Sequence, residues 1–257
     1  MRMIARSLMS LAFIAVSGCA FGDPLVWDVT GQNLFGKLNL STGEFTQVSN
    51  VGFIAAGLAG LGNHVYTAAS GGVGLYSIDT VSGNTSLIGN SSISYYTFGS
   101  TKTGLYMVDT VGGLWNIDPS NGTSTLIGST HLDIQAGLSI GLSSGSNTLY
   151  LALGSSIYTI NTSTGAASYV GTSGTTDFGA LVDVSGTVYG SSIIAPNAIY
   201  SFNPVTGTAT YLAASNAGTY AFGMAPIVPE PSSFALLGLG SILAAGFSFR
   251  RKLKAAL

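Results

Sequence analysis

Residues Leu75–Gly89 read LYSIDTVSGNTSLIG, and the same pattern returns four times along the chain. Its other copies are FGKLNLSTGEFTQV from Phe35, LWNIDPSNGTSTLIG from Leu114, IYTINTSTGAASYVG from Ile157 and IYSFNPVTGTATYLA from Ile199. Each copy has one glycine at its turn: Gly43, Gly83, Gly122, Gly165 and Gly207, spaced 40, 39, 43 and 42 residues apart. Four residues before each glycine stands Asn39, Asp79, Asp118, Asn161 or Asn203. A steady interval of this length is the mark of an internal repeat, in which one supersecondary unit is copied.

The chemistry of the unit is that of a β-hairpin. Apolar and polar residues alternate on both sides of the turn, the period of two that a half-buried strand requires. The Asp or Asn side chain accepts from a backbone N–H two residues on, which starts the turn. The glycine then supplies the positive φ that closes a four- or five-residue loop. A Ca²⁺ loop is a poor alternative, because one carboxylate per turn gives too few oxygen donors.

Working outward, a second strand precedes each hairpin: LVWDVT, HVYTAAS, GLYMVDT, TLYLALG and TVYGSSI. A small-residue strand accompanies them as AAGLAG, YYTFGST, QAGLSI, FGALVD and YAFGMA. Four strands in about 40 residues is the blade of a β-propeller. Ala56, Gly57, Gly99, Gly137, Gly179 and Gly223 fall on the innermost strands, where backbones crowd together near an axis. The first unit starts at its second strand, and the last inner strand, from Thr219 to Met224, has no hairpin after it. Joining these halves closes the ring and removes its exposed edge. The expected fold class is therefore all-β, a five-bladed β-propeller over residues 23–227, with an open β array or a six-bladed ring containing one degenerate blade as alternatives. About 200 residues suffice for one compact domain.

Composition agrees. Only 7% of the residues are charged and 46% are hydrophobic, the opposite of a disordered chain. Between Asp23 and Ile227 the cations are Lys37 and Lys102, against nine acids. That excess of negative charge argues against nucleic acid as a partner. The other basic residues cluster at the ends.

The N-terminal end, residues 1–22, has the form of a secretory signal. Arg2 and Arg6 precede the apolar run Leu8–Val16, and the small residues SGCAFG follow. The stretch Val16-Ser17-Gly18-Cys19 also has the look of a lipobox, so Cys19 is either a lipidation site or discarded with the signal. No second cysteine exists to form a disulfide.

The C-terminal segment, residues 228–257, holds three chemistries in sequence. Val228-Pro229-Glu230-Pro231 is followed by the uncharged run Phe234–Phe249 and then by Arg250, Arg251, Lys252 and Lys254. As a helix the run is about 24 Å long, slightly short for a bilayer core, and the basic cluster after it would stay cytoplasmic. An ordinary single-span anchor fits length and charge equally well. The combination closely resembles the PEP-CTERM sorting signal: a PEP motif at 228–231, a transmembrane helix at 234–249 and a basic end at 250–254. That resemblance implies recognition by an exosortase in a Gram-negative bacterium that makes exopolysaccharide. It further implies a transient inner-membrane stage, processing near Val228, Pro229, Glu230 and Pro231, and delivery to the surface or extracellular matrix, with Arg250, Arg251 and Lys252 as the stop.

Catalytic groups are sparse. His64 opens a second strand, and His131 stands two residues before Asp133 without a third partner. Asp79 and Asp118 are turn formers, while Asp109 and Asp183 either face a central channel or end their strands. No nucleophile-elbow, zinc-protease or phosphate-loop motif occurs. No cofactor, metal or enzymatic activity is expected. Tyr95, Tyr96, Trp115, Tyr158, Tyr200 and Tyr220 recur at blade positions and are read as packing residues. The expected role is structural or adhesive within an exopolysaccharide layer or other surface components. A carbohydrate- or ligand-binding propeller is the alternative, with a hydrolase or lyase third.

Overall fold

The computed structural model describes residues 23–134, 140–145, 147–174, 177–194 and 197–227. The secretory segment 1–22 with Cys19, the proposed membrane span 234–249, the sorting residues from Val228 onward, and Gly137 all lie outside the described residues. Among the described residues no helix is long and apolar enough to cross a membrane.

The described chain is all-β and folds into four-stranded antiparallel units, two of which are joined into one eight-stranded sheet by a parallel bridge between Gly57 and Phe98. The first is β1 (Leu25–Thr30), β2 (Leu34–Asn39) and β3 (Phe45–Asn50), completed by β20 (Ala221–Pro226) from the far end of the domain. Next come β4 (Ala55–Leu61), β5 (His64–Ala69), β6 (Gly74–Ile78) and β7 (Thr85–Asn90). β8 (Thr97–Ser100), β9 (Leu105–Val108), β10 (Gly113–Ile117) and β11 (Ser124–Ser129) follow. Then β12 (Ile140–Leu142), β13 (Leu149–Leu153), β14 (Ser156–Ile160) and β15 (Ala167–Thr172) form a sheet. β16 (Phe178–Val184), β17 (Thr187–Ser192), β18 (Ala198–Phe202) and β19 (Ala209–Ala214) form the last.

The turns form as the repeat dictates. Asp79 Oδ1 accepts from the backbone N–H of Val81 (3.0 Å) and Ser82 (2.7 Å), and Gly83 N–H donates to the Asp79 carbonyl (2.7 Å). Asn39, Asn161 and Asn203 accept in the same way, and the turn glycines have φ between +72° and +84°. Beyond each turn the register slips once, between Phe35 and Gly36, Leu75 and Tyr76, Leu114 and Trp115, Ile157 and Tyr158, and Ile199 and Tyr200. The slip is a bulge that places one extra residue on the outer strand and increases its twist. The extra residues Val48, Ile88, Ile127 and Val170 tuck against the apolar clusters between sheets. In the last unit the extra residue, Leu212, stays partly exposed.

The core lies between neighbouring sheets. One cluster joins Tyr66 and Leu75 to Phe98, Met107 and Ile117, and another joins Val26 and Leu38 to Val182, Ile199 and Met224. Phe35, Phe98 and Phe178 are fully buried. Each contributes roughly 1.5–3 kcal/mol through apolar burial.

The inner strands β4, β8, β12, β16 and β20 touch one another in cyclic order. A Cβ at Gly57 would strike the Phe98 backbone, one at Gly99 the Ser143 carbonyl, and one at Gly179 the Ile193 side chain, with the Ala221 carbonyl 3.0 Å away. A Cβ at Gly223 would strike the backbone of Gly57 and Leu58 and so completes the circuit. Of the inner strand expected at QAGLSI, residues 135–139 lie outside the described residues; the described inner strand is Ile140–Leu142, where Gly141 faces Gly179. β20 pairs antiparallel with β1, matching Val26 to Pro226 and Asp28 to Met224, as the half-units at the two ends required.

Glycine replacement distinguishes crowding from turn strain. Gly52 has φ +81° and open space around it, so Gly52→Ala should cost about 1 kcal/mol. Gly223→Ala must push two backbones apart and should cost about 2–4 kcal/mol. Urea denaturation midpoints of the two variants, compared with the parent, measure the difference. Equal losses would show that the inner strands are not in close contact.

Candidate functional site

The inner strands end on one face of the ring, and the connections leaving them build a cavity of about 510 Å³. Gly62 and Asn63 come from the β4–β5 turn, Lys102 from the β8–β9 turn, and Gly145 from the segment after β12. Asp183, Val184, Ser185 and Gly186 come from the end of β16, and Pro226 and Ile227 from the end of β20. The tight β16–β17 turn needs positive φ at both Ser185 (56°) and Gly186 (88°), and Asp183 Oδ1 accepts from the Gly186 N–H at 2.8 Å.

A buried serine pair is bonded to Gly60 of the cavity lining. Ser100 Oγ donates to the Gly60 carbonyl at 2.8 Å, and Ser144 Oγ accepts from the Gly60 N–H at 2.8 Å. The two hydroxyls lie 2.9 Å apart, and Asp183 N–H donates to the Ser144 carbonyl. Both hydroxyl protons are therefore committed to structural bonds, which stitch β4, β8 and β16 together where burial would otherwise leave polar groups unmatched. Among the described residues Lys102 is the only cation on the wall. The other lysine of the domain, Lys37, sits over the Trp27 ring at 5.2 Å, a cation–π contact.

The remaining candidates do not converge on this site. Asp79 and Asp118 hold turns on exposed loops, and the hydrogen bonds from Ser82 and Ser120 keep both carboxyls below the usual range. Asp109 is a turn residue too, not a channel residue. Its carboxylate accepts from the N–H groups of Val111 and Gly113 and from the Trp115 indole at 2.8 Å. His64 opens β5 with its ring 6.0 Å from Tyr66. His131 and Asp133 lie on a solvated loop and build no site. Both are exposed on the loop after β11, with His131 at φ +58°. Among the described residues no three His, Cys, Asp or Glu gather to hold a metal. Tyr95 is buried as expected. Tyr158 and Tyr200 form edge contacts with Tyr169 and Tyr211, which are exposed on β15 and β19.

One acid stands apart. Asp28 is buried in β1, directly paired with Gly36 on one side and Met224 on the other. Directly paired residues project to the same sheet face, so the carboxyl points with Met224 toward the apolar seam between the ring-closing sheet and β16–β19. Its Oδ1 has no hydrogen-bond partner, and burial pushes its pKa up to about 8. Its alternating-strand context looks ordinary in sequence, and only the ring closure seals it from both sides.

The cavity has one further property: the described chain ends in it. Pro226 and Ile227 line the mouth, and the segment after them begins there. A family model described as the PEP-CTERM protein-sorting motif matches residues 228–252. That match spans Val228, Pro229, Glu230, Pro231, Arg250, Arg251 and Lys252. The chain thus carries an exosortase-type sorting signal, which implies an exported, membrane-anchored precursor. A search of curated proteins finds no match. Among solved structures, a chain of the one titled "Crystal structure of Nidogen/Laminin Complex" is similar, with a TM-score of 0.54 at 12% identity. The alignment covers 80% of this chain and 82% of that one. The likeness concerns the fold alone and supports a propeller-like domain.

Asp28 sets the pH dependence. Its folded pKa lies above the unfolded value of 3.8, so the folded state holds the proton more tightly. The cost of burying the charge therefore grows as pH rises from about 4 and is complete above about 8. Asp28→Asn should raise stability relative to the parent by a margin that widens across this window, to roughly 5 kcal/mol at most. Urea titrations of both proteins at pH 5 and pH 9 check it. A constant difference would mean Asp28 ionises freely in the fold.

Proposed function

We propose that this chain is an exported surface or matrix protein whose repeat domain closes as a five-bladed propeller. Its work is structural or adhesive, within an exopolysaccharide layer, and involves no catalysis. The observation that carries this reading is the sorting-motif match at residues 228–252. The blade number is supported by the five repeated hairpins and by the cyclic contacts of β4, β8, β12, β16 and β20. The non-catalytic role is supported by where the acids go. Asp79, Asp109, Asp118 and Asp183 all accept backbone N–H bonds at turns, a structural use unlike that of the paired carboxylates of glycoside cleavage.

A second reading, ligand binding at the ring mouth, is favoured by the cavity itself. Its volume falls within the range of small-molecule sites. Apolar walls at Val184, Pro226 and Ile227 stand beside the polar groups of Asn63, Lys102 and Ser185. That combination suits a sugar or a similar amphipathic ligand.

Mass spectrometry of the protein taken from its native surface tests the main reading at both ends. The expected mature form begins near Asp23 and ends within Val228–Pro231, lacking Phe234 onward. Glu230→Ala should abolish this processing and leave the full tail in the membrane fraction. A wild-type surface form ending at Leu257 would instead make the tail a permanent anchor and the domain a tethered receptor.

A further inference from the structure

The two residues that end the described chain, Pro226 and Ile227, form one wall of the ring-mouth cavity. The next four residues are Val228-Pro229-Glu230-Pro231, the first part of the matched sorting signal. Glu230 lies three residues past Ile227, a reach of at most about 11 Å when extended. It is the only charged residue between Asp183 and Arg250. Among the described residues the only cation on the cavity wall is Lys102, which is exposed at the β8–β9 turn. The neighbouring wall is apolar, formed by Val184, Pro226 and Ile227.

We propose that the ring-mouth cavity is a docking site for the chain's own sorting motif, with the Glu230 carboxylate on the Lys102 ammonium. Three physical terms favour this occupant. Tethering at Ile227 gives the motif an effective concentration in the millimolar range or above. Its two prolines narrow the conformations available to the free segment, so ordering it costs less entropy. The charges are complementary in a domain that is otherwise short of cations. The docked motif is then presented to its processing enzyme from a fixed face of the disc. It also fills the space that an external ligand would use, so sorting and ligand binding exclude each other until the tail is processed. This inference rests on the matched motif and the cavity. It stands or falls separately from the adhesive role.

Carbodiimide coupling of the full chain in detergent micelles, read by mass spectrometry, tests it. The chain has four lysines, Lys37, Lys102, Lys252 and Lys254, so the products are few. The expected result is an amide between Glu230 and Lys102 in at least about five-fold excess over any other Glu230 product, the margin of a modest tethered ion pair. It should weaken in 1 M salt. Lys102→Glu should raise the rate at which a proline-specific endopeptidase cuts after Pro229 or Pro231 by about five-fold. Because Lys102 lies on an exposed turn, the fold is expected to tolerate this change, and circular dichroism verifies it. Equal coupling of Glu230 to Lys37 and Lys102, preferential coupling to Lys252 or Lys254, no coupling at all, or an unchanged cutting rate in Lys102→Glu would each overturn the proposal.

Discussion

Backbone-to-backbone approach at glycine is the constraint on which this structure depends. It operates twice. At the centre, Gly57, Gly99, Gly141, Gly179 and Gly223 let each inner strand rest against the next. At the rim, each turn glycine is pressed against the outer strand of the preceding sheet. Gly122 meets Gly89, Gly165 meets Gly128, Gly207 meets Gly171, and Gly83 meets Ser49. The last of these contacts closes the rim as well, with Gly43 against Ala214 and the Asn216 N–H bonded to the Gly43 carbonyl. The turn glycines thus serve two purposes, a positive φ and a surface without a side chain. Either requirement alone would admit asparagine or alanine at some positions, but both together leave glycine.

Much of this was legible because the repeat is written in turn chemistry. The hairpins, the second strands and the splicing of β20 onto β1 all follow from Asp or Asn, glycine and the period of two. What the sequence did not reveal has common physical causes. Gly141 was hidden because its contact with Gly179 lies nearly forty residues away in the chain, with no local signal to mark it. The small residues at Ser49, Gly89, Gly128 and Gly171 recur six positions after Gly43, Gly83, Gly122 and Gly165, a signal that was present but has no local turn role. The ring mouth was illegible because its walls come from five separated connections. Asp28 was illegible because a lone acid in an alternating strand reads as solvent-facing until the neighbouring sheet covers it.

The site and the fold share one economy of polar groups. In a domain with so few charges, four carboxylates, those of Asp79, Asp109, Asp118 and Asp183, are drawn into organising turns, and the buried hydroxyls of Ser100 and Ser144 bind inner strands to each other. Asp28 differs from these four, a carboxyl enclosed without a hydrogen bond at Oδ1. At neutral pH its raised pKa keeps it largely protonated, so the fold tolerates it as a neutral polar group instead of a charge. The mouth collects what remains, with a lysine, an amide and a serine over apolar walls.

The splice between β1 and β20 also determines how the molecule bears mechanical load. A membrane tail attached after Ile227 pulls on an innermost strand, not on a frayed outer edge. Val26 is paired with Pro226, so the entry of the folded chain and its exit lie side by side. Tension directed along β20 must shear its row of bonds to β1 all at once, and shear across a ladder resists far more force than peeling one bond after another. The outer strands, whose edges are open, carry none of that tension. A domain held by its central strand keeps its seam shut under such a load.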